Sequence, residues 1–136
     1  MEWQREITEL HQFFEAWFRG ERPGTDETFR RFEGVLAPRF RMVTPDGAVL
    51  ERAPLLAGLR SAHGTRPSIR IGVEGHEMLA ELGGPVLVSY REWQEDSGPR
   101  TVRISTALLE PRAEAPLGIA WRYVHETWSR ASRPAR

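Results

Sequence analysis

Apolar residues recur at three- and four-residue intervals near the start of the chain, which predicts an amphipathic helix. Its apolar stripe consists of Trp3, Ile7, Leu10, Phe14, Trp17 and Phe18. Gly20 follows the stripe and favours a helix C-cap. We expect His11 and Glu15, one helical turn apart, to point to solvent. Four aromatic rings on one stripe indicate that this helix covers a large apolar surface.

Two shorter helices are predicted next. The second would be capped by Thr25 or Asp26 and stopped by Pro38. Its buried side would hold Phe29, Phe32, Val35 and Leu36. A turn at 45–47 separates two short extended segments, 40–43 and 48–50. The third helix would have Pro54 in its first turn, where a missing N–H costs little, and would run to His63.

The second half of the chain alternates apolar and polar residues, which predicts β-strands. The predicted strands span 69–82, 86–95, 100–110 and 119–128. Gly75 is a candidate β-bulge in the first of them. Helices followed by long antiparallel strands indicate an α+β domain. We expect this domain to occupy residues 1–129 and residues 130–136 to form a disordered basic tail.

The composition of the 136 residues removes several chemistries. The chain has no cysteine and no lysine, which excludes disulfides, thiolate catalysis and Schiff-base catalysis. A formal net charge of zero argues against a nucleic-acid or anionic-membrane partner. The apolar runs are shorter than a membrane span, and the first residues do not form a signal peptide. Cytoplasmic localisation is therefore expected.

Several short motifs accompany this order of elements. They are Phe40-Arg41-Met42-Val43, Pro45-Asp46-Gly47, Tyr90-Arg91-Glu92-Trp93, Arg103-Ile104-Ser105-Thr106-Ala107 and the segment 121–129, which reads WRYVHETWS. With these motifs the chain resembles the nuclear transport factor 2-like (NTF2-like) superfamily over residues 3–129. Within the superfamily it is most similar to the SnoaL-like or ketosteroid-isomerase-like branch.

The resemblance implies a cone, in which a strongly curved antiparallel sheet wraps a cavity that three N-terminal helices close. It also implies homodimers, commonly formed through the sheet. Members of this branch use cavity aspartates as acid or base, but Asp26, Asp46 and Asp96 all lie at predicted helix starts or turns. The sequence departs from the aspartate pattern, and the fold alone does not specify an activity.

Polar side chains share one predicted face of the sheet. A tight hairpin at 96–99 would place Glu92 opposite or nearly opposite Arg103, and Tyr90 and Ser105 would lie on the same face. If the next hairpin continues the same alternation of side chains between the two faces, this face also holds Trp121, Tyr123 and His125. Glu92, His125 and Tyr90 are the candidate catalytic residues, as proton carriers or oxyanion donors. Candidate ligand contacts are Arg103, Ser105, Tyr123, Trp121, Trp17 and Phe14.

Two functions remain open on these residues. The first is a small-molecule-binding domain, an isomerase, cyclase or lyase for an apolar carbonyl compound. The second is a non-catalytic homodimerisation or regulatory domain with a filled, residual cavity, in which Glu92 and Arg103 are a surface ion pair. The histidines are scattered and lack metal-ligand spacing, so no metal and no cofactor are expected.

Overall fold

The computed structural model describes residues 1–132, and they fold into three helices and one sheet. The helices are α1 (Trp3–Arg19), α2 (Asp26–Glu33) and α3 (Arg52–Ser61). Gly20 caps α1 in the left-handed conformation, with φ 73°. The Thr25 hydroxyl accepts the Thr28 N–H at the start of α2, as a serine or threonine N-cap does. Both predicted caps are present.

The strands are β1 (Leu36–Val43), β2 (Val49–Glu51), β3 (Arg70–Glu81), β4 (Val86–Glu95), β5 (Thr101–Pro111) and β6 (Ile119–Trp128). They form one curved, unclosed sheet in the order β2-β1-β6-β5-β4-β3. The β1 and β6 strands run parallel, and all other neighbours are antiparallel. The predicted α+β cone-like fold is confirmed, but the sheet is mixed and not wholly antiparallel as expected.

The boundary between α2 and β1 differs from the prediction. Val35 and Leu36 were expected on the buried side of α2, but this helix ends at Glu33 and Leu36 already begins β1. Both residues are buried, so the apolar pattern predicted their burial correctly but assigned them to the wrong secondary-structure element. A short apolar run cannot separate a helix end from a buried strand start.

Two glycines shape β3 at the edge of the sheet. Gly75 has φ 67°, and the pairing with β4 shifts register between Glu74 and Glu77, so the predicted bulge is confirmed. Gly72 lies opposite Trp93, and a Cβ at this position would overlap the indole ring. The missing side chain of Gly72 therefore provides the space in which Trp93 lies.

The core lies between the helices and the inner face of the sheet. Ile7 and Trp17 of α1 and Leu109 of β5 are fully buried there. Arg130–Ser132, the start of the predicted tail, form a short 3-10 helix, and the Ser132 hydroxyl accepts the Val102 N–H at 2.8 Å. Residues 133–136 of that tail lie outside the described residues. Within 1–132, no helix has the length and apolar character to cross a membrane.

Candidate functional site

A cavity of about 150 Å³ lies between the helices and the inner face of the sheet. Most of its wall is apolar, from Leu10, Phe14, Phe18, Phe32, Leu36, Phe40, Met42, Leu55, Leu59, Ile71, Trp121 and Val124. The polar lining residues are His11, Tyr90, Glu92, Gln94, Arg103 and Glu126. All of the polar residues come from α1 or the adjacent strands β4, β5 and β6, so they line one side of the cavity. The cavity is therefore amphipathic.

The β4–β5 hairpin positions four of the predicted residues. Glu92 pairs with Arg103 and Tyr90 pairs with Ser105, as the hairpin argument predicted. Tyr90, Glu92 and Arg103 line the cavity. Ser105 is fully buried behind the lining, where its hydroxyl donates to Glu126 at 3.1 Å.

The predicted alternation of cavity-facing and outward-facing residues is interrupted in β6 by a β-bulge. Leu109 pairs with Trp121 and its neighbour Leu108 pairs with Tyr123, which leaves Arg122 as an extra residue. Such an insertion reverses the alternation beyond it. The expectation that Tyr123 and His125 share the cavity face is therefore wrong: both lie on the outer face, and His125 is exposed. Val124 and Glu126 line the cavity in their place.

His11 and Glu92 form a buried ion pair at the polar side of the cavity. His11 Nδ1 donates to the Ile7 carbonyl at 2.7 Å, and Nε2 lies 3.2 Å from Glu92 Oε1. A carbonyl only accepts, so Nδ1 carries a proton, and donation from Nε2 makes the ring cationic. Burial opposes this charge, but Glu92, the Ile7 carbonyl and the charge of Glu126 together raise the pKa of His11.

Glu92 is held in its ionised form. Its second oxygen accepts Gln94 Nε2 at 2.7 Å. Burial disfavours the carboxylate, but His11, Arg103 and Gln94 together lower the pKa of Glu92 to about 2. Glu92 therefore acts as a fixed negative charge around neutral pH.

Glu126 has the opposite electrostatic environment. Its carboxyl is 97% buried beside Arg103, with Nη1 and Oε1 3.5 Å apart. Burial, together with the charge of Glu92, raises the pKa of Glu126 to about 7, although Arg103, His11 and Ser105 act in the other direction. The carboxyl can therefore gain or lose a proton near neutral pH.

A second buried carboxylate supports the wall of the cavity. Glu6 of α1 is fully buried and accepts Trp121 Nε1 at 2.9 Å and Arg31 Nη2 at 2.9 Å. Burial raises the pKa of Glu6, and its two donors oppose that shift. These bonds tie α1 to α2 and β6 and orient the Trp121 ring at the cavity.

The other predicted ligand contacts divide between cavity and core. Phe14 lines the cavity. Trp17 does not, because its ring packs among the helices against Phe13 and Phe29 and its N–H donates to the Leu59 carbonyl at 2.8 Å. Trp17 is therefore a core residue.

The aspartates occupy surface positions. Asp26 pairs with Arg60 at 3.1 Å, Asp96 pairs with Arg66 at 3.0 Å, and Asp46 accepts Trp128 Nε1 at 3.1 Å. Across residues 1–132, no three His, Asp or Glu side chains come together as a metal site.

Sequence reasoning missed three polar lining residues, His11, Gln94 and Glu126. Gln94 follows Glu92 by two residues on β4 and so shares its face, which was the available signal. His11 was expected to face solvent, but it is 4% exposed. Its position four residues after Ile7 and three before Phe14 places it on the apolar stripe, and this spacing was the available signal. Glu126 had no such signal, because the bulge at Arg122 leaves no recognisable mark in the sequence.

The sequence matches the family model described as Sucrose-6-phosphate phosphohydrolase C-terminal over residues 3–130. The chain belongs to this family. It is also similar to a crystal structure of an NTF2-like protein of unknown function from Pseudomonas aeruginosa, at 32% identity and a TM-score of 0.84. That match covers 95% of this chain and 99% of the other. The predicted membership of the NTF2-like superfamily is confirmed.

More distant structures share the fold of this family member. A calcium/calmodulin-dependent protein kinase II (CaMKII) hub from S. rosetta matches at 12% identity and a TM-score of 0.62, over 78% of this chain and 83% of the hub. A putative Ca/calmodulin-dependent kinase II association domain from Exiguobacterium sibiricum matches at 14% identity and a TM-score of 0.61, over 98% and 93%. These two similarities show the fold alone.

Proposed function

We propose that this chain is a small-molecule-binding domain whose cavity transfers a proton to or from a small apolar carbonyl compound. The reaction class is isomerisation, cyclisation or lysis. The observation that carries the proposal is the position of Glu126: its buried carboxyl lies beside Arg103 on the wall of an apolar cavity, where burial and the charge of Glu92 raise its pKa to about 7. A general acid or base works best when its pKa lies near the working pH.

Each polar lining residue has a role in this proposal. Glu126 carries the proton, and Arg103 beside it polarises the substrate carbonyl. Tyr90 is a neutral hydroxyl donor, because burial raises its pKa well above the ordinary value. Glu92, the proton carrier suggested by the sequence, is held ionised by its donors, so we assign proton transfer to Glu126. The His11–Glu92 pair supplies a fixed dipole at the wall.

Proton exchange at carbon tests this proposal. Cyclohexanone fits the apolar cavity by size, and its α-protons exchange with D₂O when a base removes them. The wild-type protein should accelerate this exchange, measured by NMR. The Glu126→Gln variant should lose about 100-fold or more of the acceleration, since general acid–base catalysis contributes roughly 10²–10⁴-fold. Arg103→Met should also lose most of it.

Matched controls come from the outer face of the sheet. Glu110 and Arg122 form a surface pair at 3.8 Å, away from the cavity. Glu110→Gln and Arg91→Met, at an exposed position on the outer face of β4, should keep the wild-type exchange rate. Exchange that survives Glu126→Gln unchanged would overturn the assignment of the proton carrier. A wild-type protein that accelerates exchange of neither cyclohexanone nor a panel of similar small ketones would overturn the catalytic proposal.

The family description names a phosphohydrolase, and the cavity does not fit phosphate-ester hydrolysis. None of the three aspartates reaches the cavity, so it offers no aspartate that could attack a phosphate ester. A volume of about 150 Å³ is also small for a disaccharide phosphate. We therefore do not transfer this activity to the cavity.

A second candidate function is homodimerisation through the outer face of the sheet. Leu87, Leu108 and Tyr123 are cross-strand neighbours on this face and are only partly buried, and Ile104 is 38% exposed. Two of the similar structures are described as a hub and an association domain. Sedimentation should show a dimer at micromolar concentration that Ile104→Glu weakens and Glu9→Gln, on α1 away from this face, does not. A wild-type monomer would overturn this candidate.

A further inference from the structure

The polar end of the cavity has more free donors than acceptors. Both Glu92 oxygens already accept a hydrogen bond, from His11 and Gln94. Within residues 1–132 the side chain of Arg103 makes one hydrogen bond, from Nη1 to Glu126 at 3.5 Å, and its buried Nε has no acceptor. Its guanidinium also lies over the Trp128 ring, 4.9 Å from the ring centroid, a contact that uses no N–H group. A guanidinium presents five N–H groups in a planar fork. Arg103 is therefore available to an additional acceptor group.

The charges at this end also favour an anion. His11 and Glu92 neutralise each other within one buried pair. Glu126 carries a full negative charge only when its proton has left, so in its protonated form Arg103 is the remaining charge. A buried cation without a full partner is costly, and an arriving carboxylate can pair with the guanidinium through two parallel hydrogen bonds.

The apolar part of the cavity limits the size and shape of the part of the ligand that it can hold. An engineered protein cavity of about 150 Å³ holds benzene, and this cavity has a similar volume. Its wall contains Phe14, Phe18, Phe32 and Phe40 in addition to aliphatic side chains. Aromatic rings pack well against such walls in offset or edge-on geometry. A flat apolar body of about one ring fits this space.

We propose that the ligand of this cavity is a small monocarboxylic acid with a flat, apolar body, whose carboxylate pairs with Arg103 next to the Glu126 carboxyl. The inference rests on the proposed function, and it narrows the carbonyl compound to one that carries a carboxylate. Benzoate is the probe, and benzamide is its uncharged isostere.

Binding of such an anion should be linked to a proton on Glu126. The groups that face Glu126 are Arg103 and Ser105 from β5, Glu92 and Tyr90 from β4, and His11 from α1. A ligand carboxylate adds a negative charge, so it favours protonated Glu126. Benzoate affinity should therefore fall by about tenfold per pH unit once Glu126 ionises in the free protein.

Calorimetric titration tests the inference at pH 6 and pH 8. Wild-type protein should bind benzoate at least about tenfold more tightly at pH 6 than at pH 8, and more tightly than benzamide at pH 6. Arg103→Met should weaken benzoate by about tenfold or more at pH 6 and leave benzamide nearly unchanged, which also shows that the variant folds. Glu126→Gln should bind benzoate at pH 8 about as tightly as wild type does at pH 6. Arg91→Met, on the outer face of β4, should match wild type throughout.

Three results would overturn the inference. They are equal affinity for benzoate and benzamide, benzoate affinity that survives Arg103→Met, and absence of benzoate binding to wild-type protein. If cyclohexanone exchange still requires Glu126 in the last case, the proposed proton transfer stands and only the carboxylate ligand is wrong. If benzoate binds as described but no ketone exchanges, the binding inference stands and the catalytic proposal is wrong.

Discussion

His11 Nε2 on α1 lies 3.2 Å from Glu92 Oε1 on β4, and both side chains are more than 90% buried. The pair joins residues that are 81 positions apart in the sequence. One oxygen of Glu92 is used by His11 and the other by Gln94, and the hydrogen bond of Arg103 goes to Glu126. The helix thus contributes to an arrangement in which Glu126 is the carboxyl group that bonds the arginine.

Replacement of His11 by Leu should destabilise the fold by about 3 kcal/mol, at the lower end of the range for breaking a buried ion pair, because Gln94 and Arg103 still compensate Glu92. Urea unfolding measures the change. The double variant His11→Leu/Glu92→Met removes both charges and should recover most of the loss. A double variant that is less stable than His11→Leu would show that the uncompensated charge is not the cause.

Stability should fall as the pH rises from about 5 to 7. The pKa of Glu126 is raised to about 7 from 4.5, so the folded state binds more protons than the unfolded state in this window. The raised pKa of His11 contributes stability below about pH 6.5 that is lost as the pH rises through its folded value. Glu92, with its pKa lowered to about 2, acts in the other direction and loses its contribution as the pH falls below 4.5.

The Glu126→Gln variant tests the largest carboxyl contribution to this profile. Thermal melting from pH 5 to 7 should show a shallower decline for Glu126→Gln than for wild type. The decline should not vanish, because burial also raises the pKa of Glu6. Glu110→Gln, on the outer face, should reproduce the wild-type slope. Parallel profiles for all three proteins would contradict the raised pKa of Glu126.

Glu6→Ala should destabilise the fold by roughly 3–5 kcal/mol, because it leaves Arg31 and the Trp121 N–H without their shared buried acceptor. Glu9→Ala is the matched control on the same helix. Its carboxylate pairs with Arg5 at the surface, and such pairs contribute about 0–1 kcal/mol. Denaturant midpoints with unchanged m-values would measure both changes. If the two variants lost the same stability, the buried contacts of Glu6 would contribute no more than a surface pair on the same helix.

Gly72→Ala should cost about 1–3 kcal/mol, the usual range for overpacking, because the added Cβ would overlap the Trp93 ring. Gly98→Ala, in the loop between β4 and β5, has no heavy atom near the added Cβ and should change stability little. The loss of stability caused by Gly72→Ala should be smaller in a Trp93→Leu background than in the wild-type protein, because the smaller side chain leaves room for the added Cβ. Chemical denaturation of the four variants measures the coupling.

Local patterns predicted much of the fold because each depends on neighbouring residues. The stripe of α1, the cap at Thr25 and the bulge at Gly75 all follow from spacing or from residue type. The hairpin at 96–99 also predicted that Glu92 and Arg103 face each other. The partner of Glu92 could not be predicted in this way, because His11 reaches it from another element.

The cavity face of β6 shows the limit of such reasoning. Parity counted forward from Trp121 selects Tyr123 and His125, and the extra residue Arg122 reverses that choice. No glycine or proline marks the position, so the residue types there do not reveal the bulge. The backbone geometry at the bulge determines that Val124 and Glu126 face the cavity, whereas the sequence pattern assigned Tyr123 and His125 to it.

The bulge at Arg122 also affects how functional residues can be compared among homologues. A homologue with the same residues in a regular β6 would present an imidazole to the cavity where this chain presents a carboxyl group. A homologue one residue shorter at this point would keep the carboxyl group inside. Alignment columns alone therefore do not identify which ionisable side chain faces the cavity, and that side chain could change through strand register without any substitution in the cavity.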